Sequence, residues 1–121
     1  MRPAYALSIA VLLAVTASAA AAQPIVGGYQ AAPAGDPDII AAARFAVRAQ
    51  GEAHQTSYAL KAIVSAQKQV VAGMNYAVCM RVKGPRHLMF FGHTHLVNAT
   101  VYQDLDRHDK LTAWDEVTAC P

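Results

Sequence analysis

The run Gln69-Val70-Val71-Ala72-Gly73 constrains this chain more than any other stretch, because it turns with residues that turns rarely use. Apolar and polar residues alternate on both sides of it, irregularly from Tyr58 to Val71 and cleanly from Met74 to Lys83, as strands do. One strand through both segments would far exceed the usual length of roughly five residues. It would also leave Gly73 without a role in its middle. The stretch therefore reads as a hairpin in which Gly73 supplies the positive φ that turning requires. Water-exposed tips usually carry Asn, Asp, Ser or Gly. Two valines and an alanine at a tip imply a surface meant to be covered by something else.

The N-terminus bears on the compartment. Met1 and Arg2 are followed by an apolar run from Leu7 to Val15 and by small residues through Ala22, the plan of a secretory signal with an Ala-x-Ala cleavage site. Cleavage is expected after Ala22, with Gln23 as the first mature residue in a secreted or periplasmic protein. The apolar run is too short for a comfortable membrane span, so no membrane association is expected after cleavage. Residues 23–121 then form one domain with a single core. Loss of Arg2 takes Lys plus Arg from 10 to 9, which against 8 acidic residues leaves a net charge of +1. That balance argues against a nucleic-acid partner held by bulk charge. The two cysteines, Cys79 and Cys120, invite one bridge in an oxidising compartment.

Taken in order, the mature chain opens with Gln23-Pro24-Ile25-Val26-Gly27-Gly28, an arm with an apolar end on a glycine joint. Ala31 to Gly35 is small and loose. A helix follows, with Asp36 as N-cap, Pro37 at its first position, Asp38 complementing the dipole and Gly51 as the expected stop. Ile40, Ala43, Val47 and either Ala46 or Gln50 share its inner face, widened by Ile39 and Phe45, with Arg44 and Arg48 opposite. The strand from Tyr58 to Val71 is expected to carry a bulge. In the next, Tyr76, Val78, Met80 and Val82 share one face, while Asn75, Ala77, Cys79 and Arg81 share the other. After a loop from Gly84 to His87, a third strand from Phe90 to Tyr102 turns His95, Val97, Ala99 and Val101 toward the helix, and Thr112 to Thr118 offers a fourth. One helix followed by antiparallel strands is an α+β roll.

No residue constellation supports catalysis. His93 and His95 lie on one strand face, but nothing fixes the further ligands a zinc site needs, so no metal or cofactor is expected. Cys79 sits in mid-strand rather than at a helix N-terminus or in a cleft, and an enzyme built on it is not expected. Asn98-Ala99-Thr100 is a glycosylation sequon placed inside a strand.

Three features together resemble the cystatins, inhibitors of papain-like cysteine proteases, over essentially the whole mature length. Gln69-Val70-Val71-Ala72-Gly73 matches that family's first-hairpin motif without a mismatch. Ile25-Val26-Gly27-Gly28 is similar to its N-terminal trunk, and Ala43-Arg44-Phe45-Ala46-Val47 resembles the helix signature of plant members. The resemblance implies a cystatin-like roll of four to five antiparallel strands around one helix. It also implies a three-part wedge for the protease cleft. Gln69 to Gly73 would be its centre, Ile25 and Val26 would occupy subsites on one side, and Gly27 would steer the chain away from the scissile position. Binding would be occlusion without chemistry, and an Asp in place of Val71 is expected to weaken it.

The second hairpin departs from the family. Its turn, Leu105-Asp106-Arg107-His108-Asp109, lacks the usual Pro-Trp, and a lost aromatic anchor costs roughly 2 kcal/mol or more. Leu105 and His108 are the candidates to replace it; Trp114 aligns with a last-strand aromatic instead. The connection from Glu52 to Ser57 contains no Asn, so the legumain-type inhibition of some cystatins is not expected. The alternative function is a cystatin scaffold without protease inhibition that binds another protein or peptide through the same apolar edge. In family order Cys79 lies in the third strand and Cys120 beyond the fifth, so a bridge requires the C-terminal tail to cross the sheet's outer face; free thiols or an intermolecular bond are the other outcomes. Cys120 has a family counterpart as a bridge partner and Cys79 does not. A monomer is expected, with exchange of helix and first strand into a dimer as the competing state.

Overall fold

The computed structural model describes residues 28–86 and 92–121. Residues 1–27, which include the expected signal segment and Ile25, Val26 and Gly27, and the residues from His87 to Phe91 lie outside the described residues. The elements run β1 (Gln30–Ala32), α1 (Pro37–Ala53), β2 (Ala59–Val71), β3 (Gly73–Lys83), β4 (Thr94–Gln103) and β5 (Asp109–Val117). The five strands form one antiparallel sheet in the order β1-β2-β3-β4-β5. The class is α+β: one helix lies across one face of one sheet.

Helix α1 begins as its sequence dictates. The Asp36 side chain accepts a hydrogen bond from the Asp38 amide at 2.9 Å, and Pro37 occupies the first turn where no amide donor is needed. Its end differs from expectation. Gly51 does not stop the helix, which continues to Ala53 and is capped at His54. A Cβ on Gly51 would lie 2.7 Å from the Thr56 carbonyl oxygen, so this glycine serves the close approach of the following loop and not a chain reversal. The inner face is also rotated from the expected one, with Ile39 rather than Ile40 fully buried beside Ala42, Ala43, Ala46 and Val47. Three alanines on that face let the helix approach the sheet closely, where it meets Tyr76, Val78, Met80 and Val82 of β3 and Val97, Ala99 and Val101 of β4.

The sheet curves around the helix because β2 is longer than its partner. β2 has 13 residues and β3 has 11, and the register absorbs the two extra ones between Leu60 and Ala62 and between Ile63 and Ser65. Lys61 and Val64 are thus bulged, which bends the strand and increases its twist. Strand β1, which takes Ala31 and Ala32 from a segment expected to be loose, pairs Gln30 with Lys68 at the sheet edge. Strand β5 starts at Asp109, earlier than the expected Thr112. Trp114, in the middle of β5, packs against the core with its ring 5.2 Å from that of Tyr58.

Two covalent or charged ties complete the scaffold. Lys68 pairs with Asp36 and, at 3.5 Å, with Asp38, fastening the helix start to β2. The Lys68 hydrogen bond, then the Asp38 amide, hold the Asp36 carboxyl below its ordinary pKa, and the same bond raises that of Lys68. Cys79 and Cys120 are bridged, with Cα atoms 5.7 Å apart. Cys79 points to the sheet's outer face, and the tail after β5 folds back across that face to reach it.

Candidate functional site

The first hairpin is tight: Val70 faces Met74, Val71 faces Gly73, and Ala72 alone makes the turn. Val70 is 65% exposed, Ala72 is exposed and Val71 is half-buried, so the apolar tip is in water. Gln69 plays a different part from its neighbours. Its side-chain oxygen accepts a hydrogen bond from the Asn75 amide at 2.8 Å, clamping the hairpin's base across the outer face.

Gly73 has a reason beyond turning. Its φ is +105°, a region costly for any residue with a side chain. A Cβ built on it would also fall on the Gln103 carbonyl oxygen and lie 3.2 Å from the Asp104 Cα. Gly73 is therefore where the first hairpin rests against the base of the second. Beside this contact the Tyr102 hydroxyl donates to the Ala72 carbonyl at 2.6 Å. The two tips are held side by side, and nothing in the sequence pattern announced Tyr102 as the strut.

The second hairpin, between β4 and β5, is organised by Asp104. One of its carboxylate oxygens accepts from the amides of Asp106 at 2.9 Å and His108 at 2.8 Å, while the backbone closes through Asp104 to His108 at 3.0 Å. The His108 amide, then the His108 ring and the Asp106 amide, keep the Asp104 carboxyl below its usual pKa against a smaller opposing effect of desolvation. Arg107 takes a positive φ of 63° to complete the turn. This leaves Leu105 79% exposed at the tip, with the His108 ring 3.3 Å from the second Asp104 oxygen and equally in water.

The third piece can be followed to its start. β1 runs antiparallel to β2 with Gln30 opposite Lys68, so the chain at Gly28 and Tyr29 approaches along the strand end that carries Val70. Gly28 is exposed there. The arm's exit, the first tip and the second tip thus share one edge of the sheet. Ile25, Val26 and Gly27 lie outside the described residues.

Metal-ligating groups converge at one place among the described residues. Asp104, Asp106 and His108 offer ligand atoms within 4.8 Å of one another, but one Asp104 oxygen is already engaged by two backbone amides. His93 and His95 meet differently than the strand pattern implied: the His95 ring lies 3.2 Å from the His93 carbonyl oxygen, and its other nitrogen lies 3.4 Å from Glu116. No helix among the described residues is long and apolar enough to cross a membrane.

The family model described as "Cystatin domain" matches residues 27–117. The fold is similar to that of a salivary cystatin from the soft tick Ornithodoros moubata, with a TM-score of 0.61 and 17% identity over 75% of this chain and 97% of that one. No curated protein sequence matches the chain.

Proposed function

The chain belongs to the cystatin family of cysteine protease inhibitors, and from that premise we propose that it blocks the active-site cleft of a papain-like protease reversibly, as a three-part wedge. The observation that carries this reading is the locked pair of tips: Val70, Ala72 and Leu105 are exposed apolar groups on two hairpins joined through Gly73 and Tyr102. A preformed pair loses little ordering entropy on binding. Val70, Val71 and Ala72 would enter the cleft, with Ile25, Val26 and the Gly27-Gly28 joint alongside. Leu105 would take the place of the family's aromatic anchor, for which full burial of a leucine provides about 1.5–3 kcal/mol. An interface of standard size, roughly 1,600 Å² in total, is within reach of these three segments. No group of the inhibitor reacts, so the protein acts as a plug and not as an enzyme. A secreted or periplasmic location fits the bridge between Cys79 and Cys120.

A second reading has one observation in its favour. Asp104, Asp106, Arg107 and His108 surround Leu105 with charge and polarity where the family presents an aromatic, which suits a scaffold that has exchanged proteases for another protein partner. One titration separates the two. Active-site-quantified papain is titrated with the chain beginning at Gln23, beside a version beginning at Gly28, against a fluorogenic substrate. Activity falling to zero near stoichiometry, with weaker inhibition by the shorter chain, supports the wedge. Full papain activity at micromolar excess of the folded protein rejects it in favour of the second reading.

A further inference from the structure

At the end of the sheet opposite the tips lies a positive concavity that the wedge does not use. β2 begins there at Ala59 and β3 ends there at Lys83, about 35 Å from the tips at the rise of an extended strand. Two features assemble it. Lys61, which the bulge drops out of register, and Lys83, which pairs with Ala59, both line it. The segment after β3 is then strapped to the α1–β2 connection, by the Arg86 amide donating to the Ser57 carbonyl at 3.0 Å and the Thr56 hydroxyl donating to the Arg86 carbonyl at 3.2 Å. Gly84, with φ +143°, permits that approach, since a Cβ there would lie 2.8 Å from both the Ser57 oxygen and the Tyr58 ring.

The result is an open cavity of about 380 Å³ lined by Lys61, Lys83, Arg86 and Ser57, with no carboxylate among its described lining residues. The side chains of Lys61 and Arg86 make no ion pair among the described residues. A second groove of about 350 Å³ opens on the other side of the same Ser57-Tyr58 segment, carrying Arg44 and Arg48 against the single carboxylate of Glu52. Five cations therefore flank one short connection in a protein whose mature net charge is only +1 (9 basic less 8 acidic). Gathering like charges costs energy that a bound anion recovers.

We propose that this pole binds a small anion of the phosphate or sulfate class, such as a phosphorylated sugar or an anionic lipid head group. The cavity is of small-ligand size, and the near-neutral total charge disfavours a long polyanion. Arg86 offers a planar fork for two oxygens of such a group, Lys61 a point charge, and Ser57 a hydroxyl donor. An anion held here leaves the far edge open, so a protein docked on a charged head group still presents its tips to solution.

The test uses the chain beginning at Gln23 and does not depend on protease inhibition. Inorganic pyrophosphate is the soluble probe, followed by calorimetry and by amide NMR shifts; phosphatidylglycerol vesicles beside phosphatidylcholine vesicles are the membrane arm. Saturable pyrophosphate binding is expected, with shifts centred on Ser57, Lys61 and Arg86, and with weakening as ionic strength rises past about 0.15 M. The double variant Lys61→Gln/Arg86→Gln is expected to bind at least about tenfold more weakly, whereas Arg107→Gln/Lys110→Gln, which removes the same charge near the tips, is expected to bind as the parent does. Pyrophosphate binding together with retention on phosphatidylglycerol but not phosphatidylcholine vesicles identifies the head group as the source, and pyrophosphate binding without retention identifies a soluble ligand. Absence of saturable pyrophosphate binding at millimolar concentration overturns the site. So does equal weakening by both double variants.

Discussion

Replacing Gly73 by alanine tests whether the edge that carries the two tips is one rigid body. The substitution adds a single methyl group, yet it meets two penalties. The first is backbone strain, because an L-residue held at the observed φ of +105° costs about 1–3 kcal/mol. The second is overlap with the Gln103 carbonyl. That oxygen belongs to the end of β4, which pairs with Met74 of β3, so it cannot rotate away as a side chain would. Relief requires the two hairpins to part, which breaks the Tyr102 to Ala72 hydrogen bond, worth about 1 kcal/mol net. The sum is about 2–4 kcal/mol, which for a domain near 100 residues lowers the melting temperature by roughly 10–25 °C. Parted tips no longer fit one cleft, so papain inhibition weakens by about tenfold or more. Thermal unfolding by circular dichroism and titration of active-site-quantified papain at 25 °C read the two effects. An alanine variant that melts within about 2 °C of the parent and inhibits equally well would refute the claim that this glycine seats one hairpin against the other.

Three further outcomes follow from the same geometry. Leu105→Ala removes an exposed side chain, so the melting temperature stays put within the roughly ±0.5 kcal/mol of a surface change, while the papain inhibition constant rises severalfold; unchanged inhibition would show that the second tip makes no contact. Cys120→Ser opens a loop of sequence separation 41, a loss of about 4 kcal/mol by chain entropy, seen as a lower urea midpoint with inhibition kept at 25 °C because the bridge lies away from the tips. Asp36 titrates lower folded than unfolded, chiefly through Lys68, so the unfolded chain takes up its proton first as pH falls. The stability this group adds is fully present above about pH 4 and is lost as pH drops through the depressed value. Asp36→Asn should flatten the acid limb of a stability-against-pH curve, and an identical limb would count against the pair.

Periodicity made much of this legible. Alternation along Met74 to Lys83 placed Tyr76, Val78, Met80 and Val82 inside and Cys79 outside, and the outward Cys79 is what allows the tail to reach it. Other features were invisible because they depend on what lies across space. Gly51 carries the local mark of a helix stop, but its role is set by the Thr56 carbonyl pressing on it, so the helix runs on. β1 is three residues without β-branched character, held only by pairing with β2. Tyr102 becomes a strut only once register sets it opposite Asn75, and Gly73 shows its second role only once Gln103 is beside it. At the second tip, the aspartate that folds the turn was one of three similar residues; backbone geometry, not residue type, singles out Asp104.

The bridge has a topological consequence for the two exposed tips. Residues 79 to 120 form a covalent ring that contains β4, the whole second hairpin and β5. A cut between Asp104 and His108 opens the ring but releases nothing, because both new ends remain attached through the sulfurs and the long β3–β4 and β4–β5 ladders. A cut at Ala72 falls outside the ring, and the two resulting halves are joined by noncovalent contacts alone. The molecule is insured against nicking at one of its two tips. The other tip depends on the tightness of its own turn, where β2 and β3 are paired up to Val71 and Gly73 and leave a single residue between them.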